Sequence, residues 1–220
     1  GHTIIGTGRR QEKLDELQTQ LGDNFIPLNF DVSDLPATKT ALQTLPNDLL
    51  TNIDVLVNNA GLALGLEPAD KTDFADWQQM VNTNILGLIH LTHEILPSMV
   101  ANNDGYIINL SSTAGNYPYF GGNVYGATKA FVTQFSLNLR ADLVGKNIRV
   151  SNIEPGLCGG TEFSNIRFHG DDAKAAQVYD SVQYVTPQDI ANMVAWLIEQ
   201  PKHVNINRIE VMPTADRKST

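Results

Sequence analysis

A chain of 220 residues, 42% hydrophobic and 18% charged, has the make-up of one soluble globular domain with a sizeable buried core. Its formal net charge of -9 argues against a nucleic-acid surface or attachment to an anionic membrane, since both need clustered positive charge. No apolar run reaches the ~20 residues of a transmembrane helix, and the opening residues do not read as a secretory leader. The single cysteine, Cys158, cannot close an internal disulfide, so a reducing compartment, the cytoplasm, is the expected setting.

In chain order, the first element predicted is a strand over residues 2–7, already under way at Gly1-His2-Thr3-Ile4. It is followed by Gly8-Arg9-Arg10 and a helix over 11–21. A strand over 25–30, a helix over 35–45 and a strand over 53–58 come next. A long amphipathic helix is predicted over 73–101, then an Asp104-Gly105 turn into a strand over 106–110. A helix over 123–143 and a strand over 148–153 follow. The stretch 156–184 shows no period, and a loop of that length in a compact domain is expected to be a functional lid or a mobile segment. Thr186-Pro187-Gln188-Asp189 places a capping hydroxyl, a first-turn proline and an acid at the head of a helix over 187–200. A strand over 208–212 ends the pattern. Short Val/Ile-rich runs alternating with helices predict a parallel sheet with right-handed crossovers, a doubly wound α/β domain. No repeat or linker divides it, so residues 1–213 are expected to form one domain and 214–220 a disordered tail.

Chemistry concentrates at Tyr125-Gly126-Ala127-Thr128-Lys129, with Ser112 thirteen positions upstream. Residues four apart share a helix face, which predicts the Lys129 ammonium beside the Tyr125 phenol. A phenol titrates near ~10, and a fixed cation nearby is expected to lower it enough for Tyr125 to exchange a proton with an alcohol or a carbonyl. Ser112, ending a strand, is placed to hydrogen-bond the same substrate oxygen. Taken alone, a Tyr and a Lys at this spacing are as easily a surface pair. Cys158 has no neighbouring base or cation and reads as a small loop filler. His90, His93, His169 and His203 lack metal-ligand spacing, so no metal site is predicted.

With its context, the set resembles the short-chain dehydrogenase/reductase family. Asn58-Asn59-Ala60-Gly61 after a strand is similar to that family's adenine-side motif, Asn84 to its helix asparagine, and Pro155-Gly156 to its nicotinamide-side turn. The resemblance implies a Rossmann-type sheet of order 3-2-1-4-5-6-7 and a catalytic set of Asn84, Ser112, Tyr125 and Lys129, with Asn84 holding a water that relays protons to Lys129. It further implies cofactor contacts from Asp31, Val32, Asn58, Ala60, Gly61, Tyr125, Lys129, Pro155, Gly156, Leu157, Thr161 and Phe163. In dinucleotide folds an acid after the second strand selects NAD, whereas arginine accommodates the extra phosphate of NADP. Here that strand leads into Arg9 and Arg10, which implies NADP.

One branch of the family matches further, through Ser111-Ser112-Thr113-Ala114-Gly115, through residues 121–131 and 154–165, and through His203-Val204-Asn205-Ile206-Asn207. That branch is the NADP-dependent 3-hydroxy acid dehydrogenases, also described as malonic semialdehyde reductases. A small hydroxy acid or carbonyl compound is the implied substrate; a reductase of an acyl ketone or sugar, and a non-catalytic nucleotide-binding module, are the alternatives. The family's first strand and helix, with its Thr-Gly-x-x-x-Gly-x-Gly loop, precede anything in this chain. Strands two and four are therefore expected to present unpaired edges, and the chain to be an incomplete gene product. The helices over 73–101 and 123–143 carry more apolar residues than one sheet face covers, which predicts a homo-oligomer, the tetramer common in the family. Arg167, in the lid, has two readings: an anchor for a substrate carboxylate, or an exposed arginine balancing Asp171 and Asp172.

Overall fold

In the computed structural model, residues 1–179 and 183–215 are described. Six strands alternate with helices: β1 (Ile4–Gly8), α1 (Gln11–Leu21), β2 (Phe25–Asn29), α2 (Leu35–Gln43), α3 (Asn47–Thr51), β3 (Val55–Asn58), α4 (Phe74–Val81), α5 (Leu88–Asn102), β4 (Gly105–Leu110), α6 (Asn123–Asp142), β5 (Ile148–Pro155), α7 (Phe163–Arg167), α8 (Asp172–Gln177), α9 (Pro187–Glu199) and β6 (Arg208–Val211). All strand pairings are parallel, in two hydrogen-bonded parts: β2 beside β1, and β3-β4-β5-β6 in register. The edge strands expected on either side of a central partner are β1 and β3. Each carries an exposed apolar side chain, Ile4 at 47% and Val57 at 38%.

β4 shows why the order of elements holds. Every residue of it is buried, and its side chains alternate between two cores. Ile107 packs with Leu56, Ile95, Leu139 and Val150. Tyr106, Ile108 and Leu110 pack on the other face with Ile190, Met193, Val194 and Leu197 of α9. Each side chain so enclosed contributes about 1.5–3 kcal/mol relative to exposure.

Helix starts follow the predicted chemistry. Thr186 and Asp189 form a reciprocal capping box with Pro187 in the first turn of α9. Asp34 caps α2 and Asp73 caps α4 through their side-chain oxygens. The helix expected over 73–101 is continuous, but between α4 and α5 it widens into a π-helical turn, Asn82–Gly87. Gly87 is required there: a Cβ on it would lie 2.8 Å from the Val32 carbonyl oxygen, so the glycine lets the loop after β2 rest on this turn.

The lid departs from its expected irregularity. It holds two short helices, α7 and α8, separated by His169 and Gly170 at φ +52° and +88°. Helices of five or six residues are too short to show a period. The lid base is fastened where Val185 donates to the Leu157 carbonyl and Gly159 to that of Val185, each at 3.0 Å. The expectation of a disordered tail falls mostly on residues 216–220, outside the described residues.

Candidate active site

β4 ends at Leu110, and three consecutive groups there organise the site. The Leu110 carbonyl accepts from Lys129 Nζ at 2.9 Å, and the Ser111 hydroxyl donates to the Lys129 carbonyl at 2.6 Å. The Ser112 hydroxyl accepts from Ala114 N and donates to the Pro155 carbonyl, both at 3.1 Å. Strand and helix α6 are thus pinned together, with Ser112, Tyr125 and Lys129 all buried. Tyr125 stands edge-on to Phe163 of the lid at 5.9 Å between ring centres.

The expected lowering of the Tyr125 phenol by Lys129 is not what this geometry gives. Burial pushes Tyr125 up to about 12; the Ser112 hydroxyl draws it back, Tyr119 adds to the rise and Arg167 opposes it. Burial also pulls Lys129 down to about 8. Lys129 Nζ lies 5.9 Å from the Tyr125 ring centre and is turned to the Leu110 carbonyl, so loss of water outweighs its pull on the phenol.

Asn84 occupies the π-helical turn, a widening that frequently marks functional positions. Its amide donates to the Leu62 carbonyl at 2.8 Å and to the Thr128 hydroxyl at 3.0 Å, and its oxygen accepts from Leu62 N at 2.9 Å. It therefore braces the chain after β3 against α6. A Cβ on Gly61 would lie 3.2 Å from Lys129 Nζ and 3.3 Å from the Asn84 oxygen, which brings the end of the Asn58–Gly61 segment against the reacting groups.

The expected cofactor residues divide. The Asn58 side chain is turned inward: its amide donates to Thr92 and to Asn109 inside the core at 3.0 and 2.8 Å, which leaves its backbone at the strand end to border a cofactor. Ala60 and Gly61 are exposed beyond it. Asp31 is partly desolvated, but hydrogen bonds from the Ser33 hydroxyl and amide, with Arg9 adding, hold its carboxyl below the usual range. Arg9 lies 3.4 Å from Asp31, and Arg10 pairs with Glu162 at 2.7 Å. Neither arginine is free of carboxylates, which the sequence pattern does not reveal. Both line an open cleft of about 1060 Å³ between the end of β1 and the lid, with Lys13, Glu162, Ile166 and His169. Pro155, Gly156 and Leu157 lead from β5 into the lid, where the Thr161 hydroxyl accepts from Phe163 N at 3.2 Å. Burial raises the Cys158 thiol, with Asp189 adding to it, as suits an inert side chain. Among the described residues no three His, Cys, Asp or Glu gather as metal ligands, and no helix is long and apolar enough to cross a membrane.

Arg167 is not paired with either acid of its surface reading. Asp172 accepts from Asn165 and Asp171 pairs with Lys174, so neither is its partner. Arg167 donates instead to the Gly65 carbonyl at 3.1 Å and the Tyr119 hydroxyl at 2.8 Å, and its guanidinium lies 5.7 Å from the centre of the Tyr125 ring. Tyr119 was not among the predicted site residues. Its position between Ser112 and Tyr125 in the chain is the one signal that points to it.

A family model described as short chain dehydrogenase matches residues 1–171. A probable NADP-dependent dehydrogenase of Haemophilus influenzae is 68% identical over 215 residues, covering 98% of this chain and 85% of its own. The NADP-dependent 3-hydroxy acid dehydrogenase of Escherichia coli K12 is 56% identical over 213 residues, 97% of this chain and 86% of its own. The closed form of a serine dehydrogenase complexed with NADP+ superposes with a TM-score of 0.97 at 55% identity, covering all of this chain and 88% of that one. The chain belongs to the short-chain dehydrogenase family.

Proposed function

We propose that this protein is an NADP-dependent dehydrogenase that moves a hydride between the nicotinamide and a small 3-hydroxy acid or its semialdehyde, malonic semialdehyde among them. Its named relatives support the cofactor and the hydroxy acid class. The observation that carries the substrate reading is Arg167 beside Tyr125: a guanidinium over the phenol suits a substrate with a carboxylate next to its reacting oxygen. A neutral acyl ketone or sugar gives Arg167 no charge to meet, and a non-catalytic module has no use for a buried Ser112, Tyr125 and Lys129.

The donors at the cleft suit a phosphorylated dinucleotide. Arg9 and Arg10 would hold the extra phosphate, exchanging exposed carboxylates for it. Ala60, Gly61 and the turn from Pro155 to Leu157 would border the rest. The bound cofactor supplies the hydride. With its pKa pushed up to about 12, Tyr125 is protonated at neutral pH and gives its proton to the substrate carbonyl oxygen during reduction. Ser112, turning its one hydrogen from the Pro155 carbonyl, would donate to that oxygen and steady the charge forming on it. Lys129 holds a positive charge near the phenol when it must lose a proton, and Asn84 keeps the Gly61 segment against α6, where a water can relay protons to Lys129.

We read the assembly as a cytoplasmic homotetramer. Supporting this are one cysteine in the sequence and exposed apolar side chains on the long helices, among them Phe131, stacked on Phe135 at 5.9 Å.

Changing Arg167 to Met is expected to raise the KM for an acidic substrate about 10- to 100-fold, the worth of charge-assisted bonds of about 1.5–3 kcal/mol. A neutral carbonyl of similar size should be spared. Steady-state kinetics with both substrates decide it, and equal effects on the two would remove Arg167 as the carboxylate anchor.

A further inference from the structure

Glu154, next to the end of β5, has 0% of its surface exposed, and the reaction described above makes no use of it. Burying a carboxylate is costly unless it is paired and fully hydrogen-bonded. Here the protein supplies five donors. One oxygen accepts from the Thr133 hydroxyl at 3.1 Å, the Asn152 amide at 2.6 Å and Arg208 Nε at 2.9 Å. The other accepts from the Asn116 amide at 2.8 Å and Arg208 Nη2 at 2.7 Å. The Arg208 side chain is 40% exposed, so the pair is fastened from the surface inward.

These donors belong to the segments that carry the reacting groups. Thr133 is one helical turn beyond Lys129 on α6, and its hydroxyl lies 3.0 Å from that of Ser111, which itself donates to the Lys129 carbonyl. Asn116 closes the 3-10 turn that Ser112 opens. The residue following Glu154 is Pro155, whose carbonyl takes the Ser112 hydroxyl. One carboxylate therefore joins the Ser112 loop, helix α6 and the end of β5. We infer that Glu154, held by Arg208, is a positioning residue that sets the Ser112 hydroxyl against Tyr125. This rests on the dehydrogenase reading for its consequence, though not for its geometry.

The test is Glu154→Gln in the intact protein, alone and on a Ser112→Ala background. Gln keeps the shape but turns one acceptor into a donor facing donors. With NADPH and the best acidic substrate, kcat should fall about 10- to 100-fold, the effect of misplacing a reacting group, while the KM for NADPH holds within about twofold. On the Ser112→Ala background the second change should cost almost nothing, because the group being positioned is gone. A second readout needs no turnover. The Ala114 amide donates to Ser112 Oγ, so its hydrogen exchange should speed about tenfold in Glu154→Gln while exchange at core amides such as Leu197 stays slow. If Glu154→Gln does not fold, Asn116→Ala removes the loop's bond to Glu154, along with a longer one to exposed Glu210, and should reproduce the Ala114 effect, whereas Glu210→Gln should not. An additive loss in the double variant overturns the proposal, as does uniformly faster exchange or an Ala114 amide that does not respond. A wild-type protein that folds but shows no nicotinamide-dependent turnover overturns the dehydrogenase reading instead, and the Ala114 exchange still decides the role of Glu154.

Discussion

Replacing Tyr125 by Phe is expected to reduce turnover about 10³-fold or more while NADPH affinity stays within about threefold of wild type. The ring survives the change, and with it the edge-on contact with Phe163 and the packing against Leu62, Leu64 and Met80. Only the hydroxyl is lost, and with it the proton that the substrate oxygen must gain or give. Because burial pushes this phenol up to about 12, the proton is in place across the neutral range. A water reaching the same position through so enclosed a pocket is a poor substitute. Stopped turnover with intact cofactor binding, measured by NADPH fluorescence titration, is the expected pair of results. Retention of more than a few per cent of activity would mean that another group carries the proton.

The second large effect concerns the cofactor. Changing Arg9 and Arg10 together to Met should raise the KM for NADPH about 100-fold or more while that for NADH changes little. Each charge-assisted phosphate bond is worth about 1.5–3 kcal/mol, and about 1.4 kcal/mol is tenfold. In the structure both arginines lean on carboxylates, Arg9 on Asp31 and Arg10 on Glu162, with about half of each side chain in water. Exposed pairs of this kind are weak, so a phosphate, with more charge and a better matching face, displaces them. Glu162 lies at the start of the lid, and Arg10 therefore connects the cofactor cleft to the segment that carries Arg167. Equal losses with NADPH and NADH would show that the arginines only hold that connection together.

What the sequence made legible follows the range over which each feature is determined. The strands and the α9 cap were legible because Val/Ile runs and Thr186-Pro187-Gln188-Asp189 act locally. Ser112, Tyr125 and Lys129 were legible because helical spacing and a strand end bring them together. The π-helical turn around Asn84 was not, since its apolar residues continue the α-helical period, and only the fold brings Gly87 against the Val32 carbonyl. The place of Arg167 was not legible either, since it is set by contacts with Gly65 and Tyr119, 102 and 48 residues away. The state of Tyr125 was misjudged because sequence displays the Lys129 charge but not the depth of burial that outweighs it. Asn58 lies in a cofactor motif, yet its side chain serves the core. Glu154 belongs to a stretch that matches the branch, but nothing set it apart: an acid before Pro155 looks ordinary until Asn116 and Arg208, 38 and 54 residues distant, converge on it.

Hydride transfer to a small acidic carbonyl compound can be followed in a single assay. NADPH oxidation by the intact protein is followed against malonic semialdehyde, a neutral aldehyde of the same size and an acyl ketone, with serine and NADP+ in the reverse direction. Malonic semialdehyde is expected to exceed both neutral compounds in kcat/KM by about tenfold or more, the share assigned to Arg167, and serine to reduce NADP+ measurably. A neutral aldehyde or acyl ketone with the higher kcat/KM, or turnover with none of the four, would contradict it.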